Sequence, residues 1–478
     1  MCVRFACLLV VLSVISGCAV NPATNKRQFV LTSEAREAEL GREAAAQVRE
    51  SMGTIESGPV ADYVSRVGQS VAAKAPAGQF TYQFRVVEMS EPNAFAVPGG
   101  YVFISRGLLA LTNTEGELAG ILGHEIGHVA ARHGTNQASV QAPLRVVTGL
   151  SAAVTGIVSS SLGDSVSALG GAATDALFAS YSRDQEREAD ELAQRFMSES
   201  AYDPVALSSA LDSLHRHAVE AGQDDGPSFF SSHPSTRERI DRTRARARGL
   251  AGSRKASTQD RSAHVSRLDG LRLGPDPAHG VFVENEFLQP AMDFRFQFPT
   301  NWETVNGRDF VGATAESSLL VITLAEGDDP MMVGREIERR DGVDLKLRPI
   351  RIGGRPAARG EAQARTEDGA AILDVAWIEH DGQMYQVIGV SPAGSRDDRN
   401  SISRSMDSFR PLSARDRDRI RVERMRIVRA RSNETMAQVK ARTASTWEVR
   451  DLEVLNGIPS GRRFSAREKV KIVRLERY

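Results

Sequence analysis

Cysteine is nearly missing: 478 residues hold three, and Cys2, Cys7 and Cys18 all fall within the first eighteen positions. No disulfide framework can therefore stabilise anything beyond that start. Net charge is missing too. The 60 Lys and Arg against 61 Asp and Glu leave −1, so the overall balance selects no partner, and nucleic acid is not expected to be one. Long apolar runs are scarce. With 41% hydrophobic and 25% charged residues, the composition is that of a folded globular protein, which excludes a polytopic membrane protein and a disordered chain alike. A chain of this length is expected to hold about three domains.

What is present begins with a targeting pattern. Arg4 precedes the apolar run Phe5 to Ile15, too short to span a bilayer, and small residues follow it. Ile15-Ser16-Gly17-Cys18 resembles the lipobox of bacterial lipoproteins. That resemblance implies a signal peptide over residues 1–18, acylation of Cys18, and stable membrane anchoring by the added chains. An ordinary cleaved signal peptide would not need a cysteine there. Ala19, where Asp would mark inner-membrane retention, implies an outer-membrane lipoprotein facing the periplasm of a bacterial envelope.

Ser33 to Gly53 and Gly58 to Lys74 are predicted as amphipathic helices, and Thr81 to Met89 alternates like a strand. Asn93 to Arg106 is β-rich but carries Pro98-Gly99-Gly100, which suits an edge strand. Thr114 and Glu117 form a predicted capping box that opens a helix running to Gly134. Pro143 to Tyr181 is poor in charge. Its Ser and Gly content favours a helical lid or packing segment over a membrane hairpin. Helices follow from Ser182, from Asp203 to Glu220 and from Ser235 to Leu250, with a linker at Ala251 to Ala263. Strands and turns then continue to a helix around Arg399 to Phe409, and Ile427 to Val473 reads as βααβ. The expected fold is α+β and multidomain: a mainly helical domain with a small sheet at 34–250, an α+β domain at 264–412 and a small domain at 420–478.

The chemistry concentrates in LGHEIGHVAARH, residues 122–133. On a helix His124 and His128 project from one face at the spacing a zinc ion needs, and Glu125 lies beside them as a general base for a water. A catalytic site needs a third protein ligand. His133 is five residues past His128, about 500° along the helix, which leaves it roughly 140° off the ligand face. It is expected to be only a helix-end histidine beside the negative end of the dipole. SRDQEREAD, residues 182–190, supplies a better candidate. Glu186 and Asp190 share one helix face, with Glu188 on neither's line; Glu186 can close the coordination while Asp190 accepts the second N–H of a ligand histidine. Without the histidine pair, this stretch would read as a solvated charged face.

NAFAVPGG, HEIGHVAARH, SRDQEREAD and SSHPSTRERI occur in this order within residues 34–250. In them the chain resembles the zinc metallopeptidase family of the CAAX prenyl proteases and HtpX, which includes periplasmic lipoproteins of the β-barrel assembly-enhancing type. The resemblance implies one zinc ion per chain on His124, His128 and Glu186, with Glu125 as general base and Asp190 behind a ligand. It further implies that a substrate peptide lies as an added strand along Asn93, Ala94, Phe95, Gly99 and Gly100. His233 matches the family's later histidine, either an oxyanion donor or an occupant of the open zinc position that keeps the enzyme latent. Arg239 reads as an ion-pair partner, and His215, His217, His264, His279 and His380 have no companion ligands at useful spacing.

The expected activity is endoproteolysis of misfolded or misassembled envelope proteins. The alternative is a non-catalytic scaffold or chaperone binding outer-membrane proteins and peptidoglycan, which would have no chemical need of Glu125. Farther on, FRFQFPTNW, the Gly353-Gly354 turn and SISRSMDSFRPL resemble a PsbP-like α+β sandwich. RARSNETMAQVKAR and RDLEVLNGIPSGRRF resemble a LysM module, with Leu455-Asn456-Gly457 matching and Asn433-Glu434-Thr435 standing where Gly-Asp-Thr is usual. That resemblance implies binding to N-acetylglucosamine glycans such as peptidoglycan. From Ala414 to Tyr478, 18 Lys and Arg against 9 Asp and Glu would equally suit anionic wall groups.

Overall fold

The structure, a computed structural model, describes residues 18–29, 34–76, 80–134, 180–222, 229, 233, 237–250, 261–307, 309–366 and 369–478. The signal peptide ahead of Cys18, nearly all of the expected lid, and Ser232 and Pro234 lie outside the described residues. No described helix is long and apolar enough to cross a membrane.

The chain makes two compact units in place of three consecutive domains. The first closes its main stretch at Gly274 and takes in Glu423–Leu475 as well; the second spans Pro275–Val422. In the first unit, strands β1 (Cys18–Val20) and β2 (Arg27–Phe29) pair as a ribbon, followed by helices α1 (Glu34–Met52) and α2 (Pro59–Ala72). Proline at the first position starts α2, and Tyr63, Val64, Val67 and Val71, three and four apart, form its buried stripe. A four-stranded sheet runs β3 (Thr54–Ile55), β4 (Gln83–Val87), β6 (Tyr101–Ser105), β5 (Ala94–Val97), with β4 and β6 parallel and the other pairs antiparallel. The Pro98–Gly100 turn divides the expected single strand. Gly99 (φ 79°) and Gly100 (φ 94°) are left-handed, and a Cβ on Gly100 would lie 2.9 Å from the Thr81 carbonyl oxygen. Hence β5 lies on the edge of this sheet while β6 lies inside it.

Helix α3 (Arg106–Leu111) leads into α4 (Glu115–Ala130). Thr114 Oγ1 accepts the Glu117 N–H at 3.1 Å, as predicted, but the Glu117 carboxylate takes the Asn113 N–H at 2.6 Å, one residue earlier than a capping box would place it. Helices α5 (Arg183–Glu199), α6 (Val205–Ala221), α7 (Arg237–Leu250) and α8 (Arg261–Arg267) follow. The start of α8 replaces the end of the expected linker. Gly116, Gly120, Gly123 and Gly127 line one stripe of α4 and let other backbones close in. A Cβ on Gly120 would lie 3.0 Å from Leu207 Cα in α6, and one on Gly127 2.9 Å from the Ala189 carbonyl oxygen in α5.

The second unit is α+β. A three-stranded meander joins β7 (Val281–Val283), β8 (Glu286–Gln289) and β9 (Phe294–Gln297). A seven-stranded antiparallel sheet has the order β10 (Glu303–Asn306), β11 (Phe310–Ala315), β12 (Ser318–Ala325), β16 (Gln383–Pro392), β15 (Gly369–His380), β14 (Arg355–Thr366), β13 (Arg348–Ile352). Helices α9 (Pro330–Asp341), which sequence patterning missed, α10 (Arg396–Asp407) and α11 (Ala414–Arg419) complete it.

The chain then returns to the first unit through β17 (Arg421–Arg429), α12 (Met436–Thr443), α13 (Val449–Leu455) and β18 (Lys469–Arg477), the expected βααβ order. Met425, Val439, Leu452, Val470 and Ile472 share one core with Val64, Leu118 and Phe196. Fully burying such side chains contributes about 1.5–3 kcal/mol each, and net domain stability is only about 5–15 kcal/mol, so this return is integral to the unit. Lys471, fully buried, donates to the carbonyls of Ala110 (2.7 Å), Thr112 (2.8 Å) and Leu455 (2.9 Å). Arg261 donates to the Lys469 carbonyl at 2.7 Å and to Asn456 Oδ1 at 3.1 Å.

Candidate metal centre

Helix α4 presents His124 and His128 one turn apart, their Nε2 atoms 3.0 Å from each other. The second contributor is α5. Ser182 and Gln185 cap its start reciprocally, which sets Glu186 in the first turn and points Glu186, Ala189, Asp190 and Ala193 inward. Glu186 brings Oε1 to 3.2 Å from His128 Nε2 and Oε2 to 3.5 Å from His124 Nε2. His233 Nδ1 lies 2.9 Å from Glu186 Oε1 and 3.2 Å from His124 Nε2. Ligand atoms from these four residues lie within 4.8 Å of one another, and all four residues are buried. Three imidazoles and a carboxylate converging in a dry site are a donor set for a divalent transition metal. Glu125 stands beside them, its Oε1 3.6 Å from His233 Nε2, and both its carboxylate oxygens are buried without a hydrogen-bond partner among the described residues. A buried carboxylate left alone is costly, so these orphaned oxygens fit a centre that binds a cation.

Protonation divides the two ligand histidines: burial is outweighed at His124 by Glu186 and Asp190, which raise its imidazole to about 10, so a metal there must displace a proton. Burial pushes the His128 imidazole well below its ordinary value and keeps it neutral, as a ligand must be. Burial would raise Glu186 and Asp190, but His233 and His124 hold Glu186 far below the carboxylate range, and Arg239 and His124 lower Asp190 from its ordinary value. Glu125 moves the other way. Burial raises it and His233 and His124 only partly oppose, which suits a group that accepts and returns a proton.

Asp190 Oδ1 lies 2.9 Å from His124 Nδ1. Arg239 grips Asp190 through two hydrogen bonds of 2.8 Å and also contacts Glu186 Oε2. The structure departs from the sequence reading at His133. Helix α4 ends at Ala130 and Arg132 is left-handed (φ 57°), so the reversal swings His133 back onto His128, ring centroids 4.9 Å apart. Glu188, expected to face away from the site, meets His133 Nε2 at 3.1 Å. Two further neighbours escaped sequence reasoning: Tyr181 stacks on His128 at 3.9 Å and Phe229 on His233 at 4.6 Å. No local signal marks a left-handed Arg132 or a stacking ring outside the motifs.

Of the residues expected to hold substrate, Ala94 and Phe95 are buried, Phe95 stacking on Phe103 at 5.1 Å, so only their backbone remains to offer. Among the described residues β5 pairs with β6 alone. Asn93 is buried with neither side-chain amide atom hydrogen-bonded among the described residues. A cavity of about 20 Å³ is bounded by Ala96 and Val97 of β5, by His128 and by Tyr181, so the edge strand abuts the metal centre. Gly99 and Gly100 form the turn beyond it.

The sequence profile described as peptidase family M48 matches residues 60–247, which contain every residue of this centre. The metalloprotease YcaL of Escherichia coli is 32% identical over 211 residues, covering 43% of this chain and 80% of YcaL. The chain belongs to peptidase family M48. Also similar are a mitochondrial metalloendopeptidase of Schizosaccharomyces pombe, 29% identical over 222 residues (46% of this chain, 63% of that protein), and the β-barrel assembly-enhancing protease of Yersinia pestis, 29% over 241 residues (49% of each). The chain thus spans less than two thirds of either relative's length. A solved structure of cyanobacterial PsbP from Synechocystis is similar to 28% of the chain and covers 95% of that protein, at 13% identity and a TM-score of 0.23, too slight a likeness to assign the second unit.

Proposed function

We propose that this M48 chain is a zinc-dependent metalloendopeptidase, anchored through lipid on Cys18 in a bacterial outer membrane, that hydrolyses peptide bonds of misfolded or misassembled envelope proteins. One observation carries the reading: the ligand atoms of His124, His128 and Glu186 converge beside a Glu125 carboxylate with no hydrogen-bond partner among the described residues. His124, His128 and Glu186 would hold the zinc, which when bound would supply Lewis acidity to a scissile carbonyl and a water. Glu125 takes the water's proton and returns it to the leaving amine. Asp190, locked by Arg239, orients His124. The edge of β5 receives the substrate backbone as an added strand. His233 stands among the metal donors, which supports a latent arrangement from which it withdraws to admit substrate. The apolar run before Cys18 supports the anchor, and the β-barrel assembly-enhancing relatives support envelope substrates. The basic C-terminal stretch supports docking to peptidoglycan or other anionic wall groups.

Glu125→Gln is expected to keep bound zinc while cleavage of an unfolded protein substrate falls by about 10²–10⁴-fold. Metal analysis and a cleavage assay measure the two, and undiminished cleavage overturns the reading.

A further inference from the structure

His128 turns its Nε2 toward the metal donors and its Nδ1 toward His133 Nδ1, 3.0 Å away. Two ring nitrogens at that distance need one N–H and one lone pair between them. The far side of His133 decides which is which. Its Nε2 lies 3.1 Å from Glu188 Oε2, and a carboxylate only accepts, so Nε2 carries the hydrogen. A neutral His133 then has a bare Nδ1. That lone pair obliges His128 to carry its hydrogen on Nδ1, which leaves His128 Nε2 bare and aimed at the metal position. The opposite assignment would put the His128 hydrogen on Nε2 and leave no lone pair there facing the other donors. Glu188 is itself held at 2.6 Å by Lys26, a residue from the turn between β1 and β2.

We propose that His133 and Glu188 are positioning residues of the metal centre, a relay that fixes the ring and tautomer of His128 from a carboxylate two side chains away. The two ligand histidines are thus anchored differently. His124 has a carboxylate of α5 directly behind it, Asp190 at 2.9 Å, whereas His128 reaches its α5 carboxylate through an interposed imidazole. Three alternate residues of one helix, Glu186, Glu188 and Asp190, serve the same ion by three routes. Glu188 points away from the other two on α5, and the left-handed Arg132 brings His133 round to meet it.

This inference rests on the zinc reading, and zinc affinity separates the two. The dissociation constant of the full chain for zinc is measured by chelator competition for wild type, His133→Phe, Glu188→Gln and the double variant, with melting temperatures recorded alongside. His133→Phe keeps the ring volume and removes both nitrogens. Glu188→Gln keeps the shape and, from a partly exposed side chain, leaves folding intact even if the phenylalanine variant does not fold. Each single variant is expected to bind zinc about 10–100-fold more weakly. Because the relay is serial, the double variant is expected to be no weaker than the weaker single variant. Unchanged affinity in Glu188→Gln, or additive losses in the double variant, overturns the relay. Absence of zinc binding by wild type overturns the zinc reading instead.

Discussion

Two buried carboxylates depend on Arg239. Its guanidinium holds both oxygens of Asp190 and contacts Glu186, and neither Arg239 nor Asp190 is more than 4% exposed. Removing one partner of a buried pair strands the other charge, which typically costs about 3–5 kcal/mol, far more than the pair contributes against an apolar substitute. Arg239→Met is therefore expected to lower unfolding free energy by about that amount in urea titrations. Adding Asp190→Asn should recover part of the loss, because the neutral amide removes one of the two stranded charges and leaves that of Glu186. If the double variant is no more stable than the single one, the stranded charge is not the cause. At this scale the sequence was informative wherever chemistry and spacing coincide. His124, His128 and Glu186 are i, i+4 partners or first-turn residues of predicted helices. His133 was misplaced because its position depends on where α4 stops, and only the backbone at Arg132 records that.

Helices α4 and α5 carry all the ligands except His233, and their separation is set where they touch. Gly127 makes that contact, with the Ala189 carbonyl oxygen 2.9 Å from where a Cβ would sit. Ala189 lies between Glu188 and Asp190, so any widening there withdraws the carboxylates from the imidazoles. Intrinsic helix propensity alone would make Gly127→Ala stabilising by about 1 kcal/mol. Overpacking against backbone reverses the sign, with an expected loss of about 1–3 kcal/mol and a looser metal-donor cluster. Gly249→Ala, in α7 with no described atom against the new Cβ, keeps the propensity gain and serves as the control. Thermal melts of the two variants should move in opposite directions, and a stabilised Gly127→Ala would refute the close-contact account. The helices themselves were legible from local signals: the Thr114 and Ser182 caps, proline at the start of α2, and apolar spacing. Helix α9 was not, because its buried residues, Pro330, Gly334 and Ile337, give little apolar periodicity.

For the whole molecule, the largest difference from sequence expectation is the return of Glu423–Leu475 to the first unit. Its secondary structure is local and was readable, whereas its docking is not: nothing near Lys471 announces carbonyl partners at Ala110 and Thr112. The same region predicts an acid response. His264 on α8 lies 2.6 Å from the Tyr63 hydroxyl and 3.0 Å from Thr112 Oγ1. Burial, with Lys471 adding to it, lowers its imidazole from the ordinary 6.5 to about 3. The unfolded chain therefore binds a proton there near pH 6.5 that the folded chain refuses until about pH 3. The stability linked to this group is fully present above pH 6.5 and declines as pH falls toward 3, by up to about 1.4 kcal/mol per unit. His264→Gln is expected to flatten the fall in the first unit's urea midpoint between pH 7 and pH 5, and equal slopes would remove His264 as the cause. The Lys471 contacts also bear on timing. They bridge 361 and 359 residues, and pairings of such separation form late. A chain emerging from its N-terminus presents every metal ligand before β18 exists to brace the turn ahead of α4. During synthesis the centre thus has all its donor residues while the turn ahead of α4 still lacks its brace, which arrives only after the intervening second unit has been made.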